Sequence, residues 1–200
     1  MNQSHQLSAP ALVAVYCGSR LGNHADYQQM AQDLGRALVE ANLGLVYGGA
    51  SIGLMGVVAD AVLEQSGTVV GVIPEFMLDY EVAHDRLTEL HVVESMHVRK
   101  ALMAARASAF VAIAGGIGTL EELTEIMTWR QLGQHHKPIL LLNHRGFFDG
   151  LLMQFERSVA DGFLQAKDAQ RVQVCDSIEQ VMAGLRHLSP QQQPVEVNDF

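Results

Sequence analysis

Positive charge is what this chain has least of. Lys and Arg total 13 against 22 Asp and Glu, a formal net charge of -9. Nucleic acid and anionic membrane surfaces both demand a broad basic footprint, so neither is expected as a partner. An anionic small ligand stays open where helix ends or local cations override the global sign. Cysteine is nearly absent too: Cys17 and Cys175 each sit in an apolar, strand-like run, with no disulfide framework and no zinc spacing. Both read as buried thiols. No apolar run approaches membrane-spanning length. "ALVAVYC" (11–17) imitates a signal-peptide core, yet no Lys or Arg precedes it and Gly18 ends it. A cytoplasmic location is therefore expected.

What is present is globular: 200 residues, 48% apolar and 18% charged, with neither repeat nor linker. Short runs rich in Val, Ile, Leu and Ala fall at 11–17, 43–47, 68–73, 109–114, 138–142 and 171–175. Such runs suit strands covered on both faces. Helical patterns lie between them near 26–41, 53–66, 95–107, 119–132, 147–161 and 177–187. The alternation predicts an α/β fold, a Rossmann-like doubly wound parallel sheet with helices on both faces. One domain over 11–188 is expected, with weakly ordered polar tails at 1–10 and 189–200.

Three predicted strands run into small or glycine-rich turns: Cys17-Gly18-Ser19-Arg20, "YGGASIGLMG" (47–56) and "GGIGTLEE" (115–122). A parallel sheet puts all three on one edge, facing a common crevice. Neither longer turn is a dinucleotide fingerprint, since Glu121 stands where the third glycine belongs, and no Gly-Lys-Ser/Thr marks a P-loop. Singly, each is an ordinary tight turn; together they suit a phosphate or nucleotide. Ser19, Gly48, Gly49, Gly115, Gly116, Ile117, Gly118 and Thr119 are the candidate substrate contacts.

Glu122 has two readings. Thr119-Leu120-Glu121-Glu122 fits a capping box, with Thr119 as N-cap and Glu122 reaching back; the alternative is a catalytic carboxylate. On "ESMHVRKALMAARA" (94–107), Ser95 is a candidate N-cap, and Met96, Arg99/Lys100 and Met103 share one side of a largely apolar helix. Arg99 is either a surface ion-pair partner or a ligand for phosphate or carboxylate. His135-His136 and His144 lack metal-ligand spacing, so no metal is expected. Of the lysines only Lys100, Lys137 and Lys167 exist, and none has the context of a pyridoxal-phosphate site.

Taken together, "MHVRKALM" (96–103), "GGIGTLEE" (115–122) and "YGGASIGLMG" (47–56) resemble the LOG family, the cytokinin riboside 5'-monophosphate phosphoribohydrolases long labelled lysine decarboxylases. The resemblance runs from residue 12 to 187 and takes in "GVIP" (71–74), "TWRQLG" (128–133) and "KPILLLN" (137–143). It implies a Rossmann-like dimer, or a multiple of dimers, without a cofactor. It implies hydrolysis of a nucleoside 5'-monophosphate to free base and ribose 5-phosphate. By this resemblance Arg99 and Glu122 are the catalytic pair. Gly116, Gly118 and Thr119 hold the phosphate, and Glu81, Lys100 and Thr128 touch substrate. Ala114 replaces the family's usual Pro and Ala50 a frequent Gly; neither change touches Arg99 or Glu122. The rival reading is a non-catalytic nucleotide-binding or carrier protein of the same fold.

Overall fold

A computed structural model describes residues 9–78 and 82–188. Glu81 and most of both expected tails (1–8 and 189–200) lie outside the described residues.

Seven strands form one parallel sheet: β1 (Ala11–Tyr16), β2 (Leu43–Tyr47), β3 (Val69–Pro74), β4 (Glu89–Val93), β5 (Ala107–Ala112), β6 (Ile139–Leu142) and β7 (Val172–Cys175). Their spatial order is β4-β3-β2-β1-β5-β6-β7. The six expected strands are present, within two residues at each end. The seventh, β4, breaks the apolar rule because it is an edge strand with Leu90 and Val92 exposed. Its polar Glu89 and His91 pair with each other and with Arg106 instead of entering the core.

Helices α1 (Ala25–Glu40), α2 (Gly53–Leu63), α3 (Met96–Arg106), α4 (Ile117–Gln131), α5 (Asp149–Ala160), the single turn α6 (Ala166–Ala169) and α7 (Ile178–Leu185) cover the sheet. Alternation along β1 divides the core. Val13 and Val15 pack with α1, α2 and α7; Leu12, Ala14 and Tyr16 pack with α3 and α4 on the other face. The α1–β2 connection is short because Asn42 takes the left-handed conformation (φ 56°) that ends many helices. Gly35 brings α1 close to α2, since a Cβ there would meet Ala61 Cβ at 2.7 Å and the Val58 carbonyl at 2.8 Å.

The chain leaves β1 toward β2 on one side, and β5 takes the place on its other side. That reversal opens a crevice beyond the carboxyl ends of β1 and β5, where doubly wound sheets bind ligands. Cys17-Gly18-Ser19 and Ala114–Thr119 both start there.

Candidate active site

Backbone hydrogen bonds tie the three turns together. Gly18 N donates to the Ala114 carbonyl at 3.0 Å, and Leu54 N donates to the Gly18 carbonyl at 3.0 Å. Gly53 (φ 61°) has no room for a side chain, because a Cβ would overlap the Ser19 carbonyl carbon. The close approach of chains, not flexibility, fixes a glycine there.

A cavity of about 260 Å³ opens above this junction. Its wall includes Ser19 from the first turn, Arg99 and Lys100 from α3, and Gly116, Ile117, Gly118, Thr119, Glu121 and Glu122 at the start of α4. A more apolar lobe of about 490 Å³ adjoins it, sharing Gly18, Ser19, Gly116 and Ile117 and bounded by Leu21, Tyr27 and Phe147. Gly115 lines that second lobe.

The start of α4 corrects the capping-box expectation. Gly116 is the N-cap, with no side-chain cap, and the helix begins at Ile117. Thr119 is therefore the third helical residue and Glu122 lies in the second turn, beyond reach of an N-cap N–H. The amides of Ile117, Gly118 and Thr119 belong to the first turn, whose N–H groups have no intrahelical acceptor. Thr119 is 3% exposed, and its Oγ1 packs so tightly on Gly115 that a Cβ at 115 would overlap it. Gly116 and Gly118, by contrast, face open space. Glu122 is half-buried on the cavity wall.

Arg99 is held from the opposite wall. Ser95 caps α3 as expected, its Oγ accepting from Val98 N at 3.2 Å. One turn on, Arg99 is 4% exposed. Its Nη2 donates to the Gly48 carbonyl at 3.3 Å, and its Nη1 to Met77 Sδ at 3.4 Å and Met96 Sδ at 3.6 Å. That burial takes Arg99 off the surface. Gly48 thus acts on Arg99 and is not on the cavity wall; Gly49 (φ 80°) shapes the same turn, its carbonyl accepting from His84 N at 2.9 Å.

Lys100 lines the cavity, but its ammonium donates to Glu121 at 2.5 Å and Glu125 at 2.9 Å. Burial pulls its pKa down, and the bonds and charges of the two glutamates outweigh that and hold it above the ordinary lysine value. It stays charged, the reverse of what a Schiff-base lysine needs. Lys137 donates to the Ala104 carbonyl at 2.7 Å, below the sheet's other edge. Thr128 is exposed and gives its hydroxyl to the Thr124 carbonyl at 2.8 Å, outside the residues that bound the cavity.

Four contributors were not legible as site residues. Met77 and Glu125 carry no motif, Met55 sits in "YGGASIGLMG" without being singled out, and Tyr16 reads only as a strand residue. Burial pushes the Tyr16 phenol well above its ordinary value, and Glu122, Glu125 and Glu121 add to the shift, so the phenol keeps its proton beside the carboxylates. Cys17 and Cys175 are buried and outside any disulfide, as expected. His135 is half-buried, and its Nε2 lies 2.9 Å from the Ile126 carbonyl. Among the described residues no group of three His, Cys, Asp or Glu could hold a metal ion, and no helix is long and apolar enough to cross a membrane.

A family model described as "Possible lysine decarboxylase" matches residues 55–185. A cytokinin riboside 5'-monophosphate phosphoribohydrolase of Rhodococcoides fascians is 49% identical over 178 residues, spanning 88% of this chain and 90% of that one. One of Arabidopsis thaliana is 42% identical over 189 residues, spanning 94% and 88%. The solved structure of the Moco carrier protein from Chlamydomonas reinhardtii superposes with a TM-score of 0.67 at 20% identity, over 88% of this chain and 96% of that chain. At that identity the likeness is one of fold.

Proposed function

The chain belongs to the LOG family, and from that premise we propose that it hydrolyses the N-glycosidic bond of a purine riboside 5'-monophosphate, releasing the free base and ribose 5-phosphate. The observation that carries this reading is the meeting of a helix N-terminus, a carboxylate and a buried guanidinium around one cavity. The phosphate rests on the amides of Gly116, Ile117, Gly118 and Thr119, where the helix dipole favours an anion. Glu122 lies three residues beyond Thr119, about 4.5 Å along the helix, a span that suits the step from C5' phosphate to C1'. As the bond from C1' to the base nitrogen lengthens, its electron pair leaves with the base and C1' becomes oxocarbenium-like. Glu122 stabilises that charge and accepts a proton from the attacking water, and one proton is returned to the departing base nitrogen, so that the base leaves neutral. Arg99 stabilises the negative charge gathering on the base.

A glutamate beside a phosphate carries a cost: two unit charges 4 Å apart repel by about 4 kcal/mol at an effective dielectric of 20. Lys100 reduces it by absorbing Glu121 and Glu125, so that two of the three carboxylates near the cradle are already paired with a cation. Within this proposal Ser19 and Gly115 complete the cradle, and Gly48 and Gly49 position Arg99. Glu81 and Thr128 come from the resemblance alone. A homodimer is proposed on the same ground, supported by the large apolar side chains left exposed at Leu132, Met153 and Phe163; light scattering of the eluted protein gives its mass.

The carrier reading rests on a 20%-identical fold neighbour. A carrier gains nothing from Glu122 beside the phosphate. Incubation with AMP and with N6-isopentenyladenosine 5'-monophosphate, followed by chromatography, separates the two. Release of free base and ribose 5-phosphate supports the hydrolase; nucleotide that is bound but intact overturns it.

A further inference from the structure

Two methionines from separate elements converge on one nitrogen. Met77 closes the helical turn after β3, Met96 opens α3, and both sulfurs lie on Arg99 Nη1, at 3.4 and 3.6 Å. A thioether is a weak acceptor for a cation. Leucine fills a similar volume at little cost, so volume alone does not call for methionine twice. Both side chains line the cavity, and both are open to small solutes: Met96 is 37% exposed and Met77 half-buried. Met55, the third methionine of the wall, is only 6% exposed and has no bond to the guanidinium among those described. The two methionines that touch Arg99 are therefore more open than Met55 to a small oxidant in the cavity.

We propose that Met77 and Met96 are an oxidative modification site that switches Arg99 off, a role that rests on the hydrolase reading. Hydrogen peroxide supplies the chemistry. The sulfur lone pair attacks one peroxide oxygen, the O–O bond breaks, a sulfoxide S–O bond forms, and the other oxygen leaves as water. Sulfur loses two electrons and peroxide gains them. The product turns a flexible apolar side chain into a strongly polar one. From a sulfur already 3.4–3.6 Å from Nη1, the new oxygen comes within reach of a charge-assisted hydrogen bond. At Nη1 the guanidinium then gains a firm bond in place of two thioether contacts and is tied to its own wall. Methionine sulfoxide reductases undo the change. Cys17 lines the same cavity, so thiol oxidation must be separated from it.

The test compares the wild type with Met77→Leu/Met96→Leu, each assayed on N6-isopentenyladenosine 5'-monophosphate before and after graded hydrogen peroxide, then after dithiothreitol. Activity is read as the treated-to-untreated ratio within each protein, and peptide mass spectrometry locates the added oxygen. The wild type should lose about tenfold or more in kcat/KM, the factor expected when a bond to a charged group is redirected. The loss should track sulfoxide at 77 and 96, resist dithiothreitol and reverse with methionine sulfoxide reductase. The double variant should keep most of its ratio. Equal loss in both proteins, or recovery with dithiothreitol alone, overturns the proposal. An untreated wild type that turns nothing over is a different failure, that of the hydrolase reading.

Discussion

Gly48 and Arg99 are joined by a contact in which one partner must have no side chain. The Gly48 carbonyl accepts from Arg99 Nη2 at 3.3 Å, and a Cβ built on Gly48 would overlap that nitrogen and lie 3.0 Å from Cζ. Fifty-one residues separate the pair. The obstructed atom is the tip of a long side chain, so alanine at 48 should displace the guanidinium without breaking the fold. Gly48→Ala is expected to melt near the wild type and lose about a hundredfold in kcat, the scale of a 1 Å misplacement. Gly150→Ala, where a Cβ meets nothing, should lose no activity. Paired melting curves and steady-state kinetics make the comparison.

Lys100 carries a second expectation. Its ammonium holds Glu121 and Glu125, and Lys100→Met would release both carboxylates next to the phosphate cradle. Repulsion should raise KM about tenfold, since one added unit charge roughly 8 Å away costs about 2 kcal/mol at an effective dielectric of 20 before screening. Adding Glu121→Gln to that variant should lower KM again. Unchanged KM in Lys100→Met would assign the ion pairs a purely structural role.

His135 gives a pH signature away from the site. Burial pulls its imidazole below the ordinary value of 6.5, the bond to the Ile126 carbonyl opposes this in part, and Lys137, Arg130 and His136 add to the lowering. A depressed folded pKa means that the unfolded chain binds the proton first. The contribution is full above pH 6.5 and is lost as pH falls through the folded value. His135→Gln should therefore gain on the wild type in Tm between pH 7.5 and 5, by calorimetry. A constant difference would show that the ring is not held neutral.

The fold was legible because buried parallel strands are apolar throughout, and six such runs announced themselves. The edge strand β4 hid for the opposite reason: Glu89 and His91 interrupt it, and its exposed face needs no apolar pattern. The turn "GGIGTLEE" was legible as an anion site but misread in register. Thr119 followed by Glu122 imitates a capping box, whereas the N-cap is Gly116, three residues earlier. That shift removes the capping reading of Glu122. Arg99 was visible as a cation on an apolar helix; its holders, Gly48 and Met77, come from distant turns that only the fold brings together. The ion pairs of Lys100 were not legible, because α4, which supplies its two carboxylates, is adjacent only in space.

The central claim is that Glu122 works on the sugar carbon and not on the helix. Single-turnover cleavage of N6-isopentenyladenosine 5'-monophosphate by the wild type and by Glu122→Gln tests it most directly, with nucleotide affinity and melting temperature measured alongside. The account predicts that the variant folds and still binds the nucleotide while its cleavage rate falls by about 10²- to 10⁴-fold, the range of a lost general base. Cleavage within a few-fold of the wild type by a folded Glu122→Gln protein would contradict it.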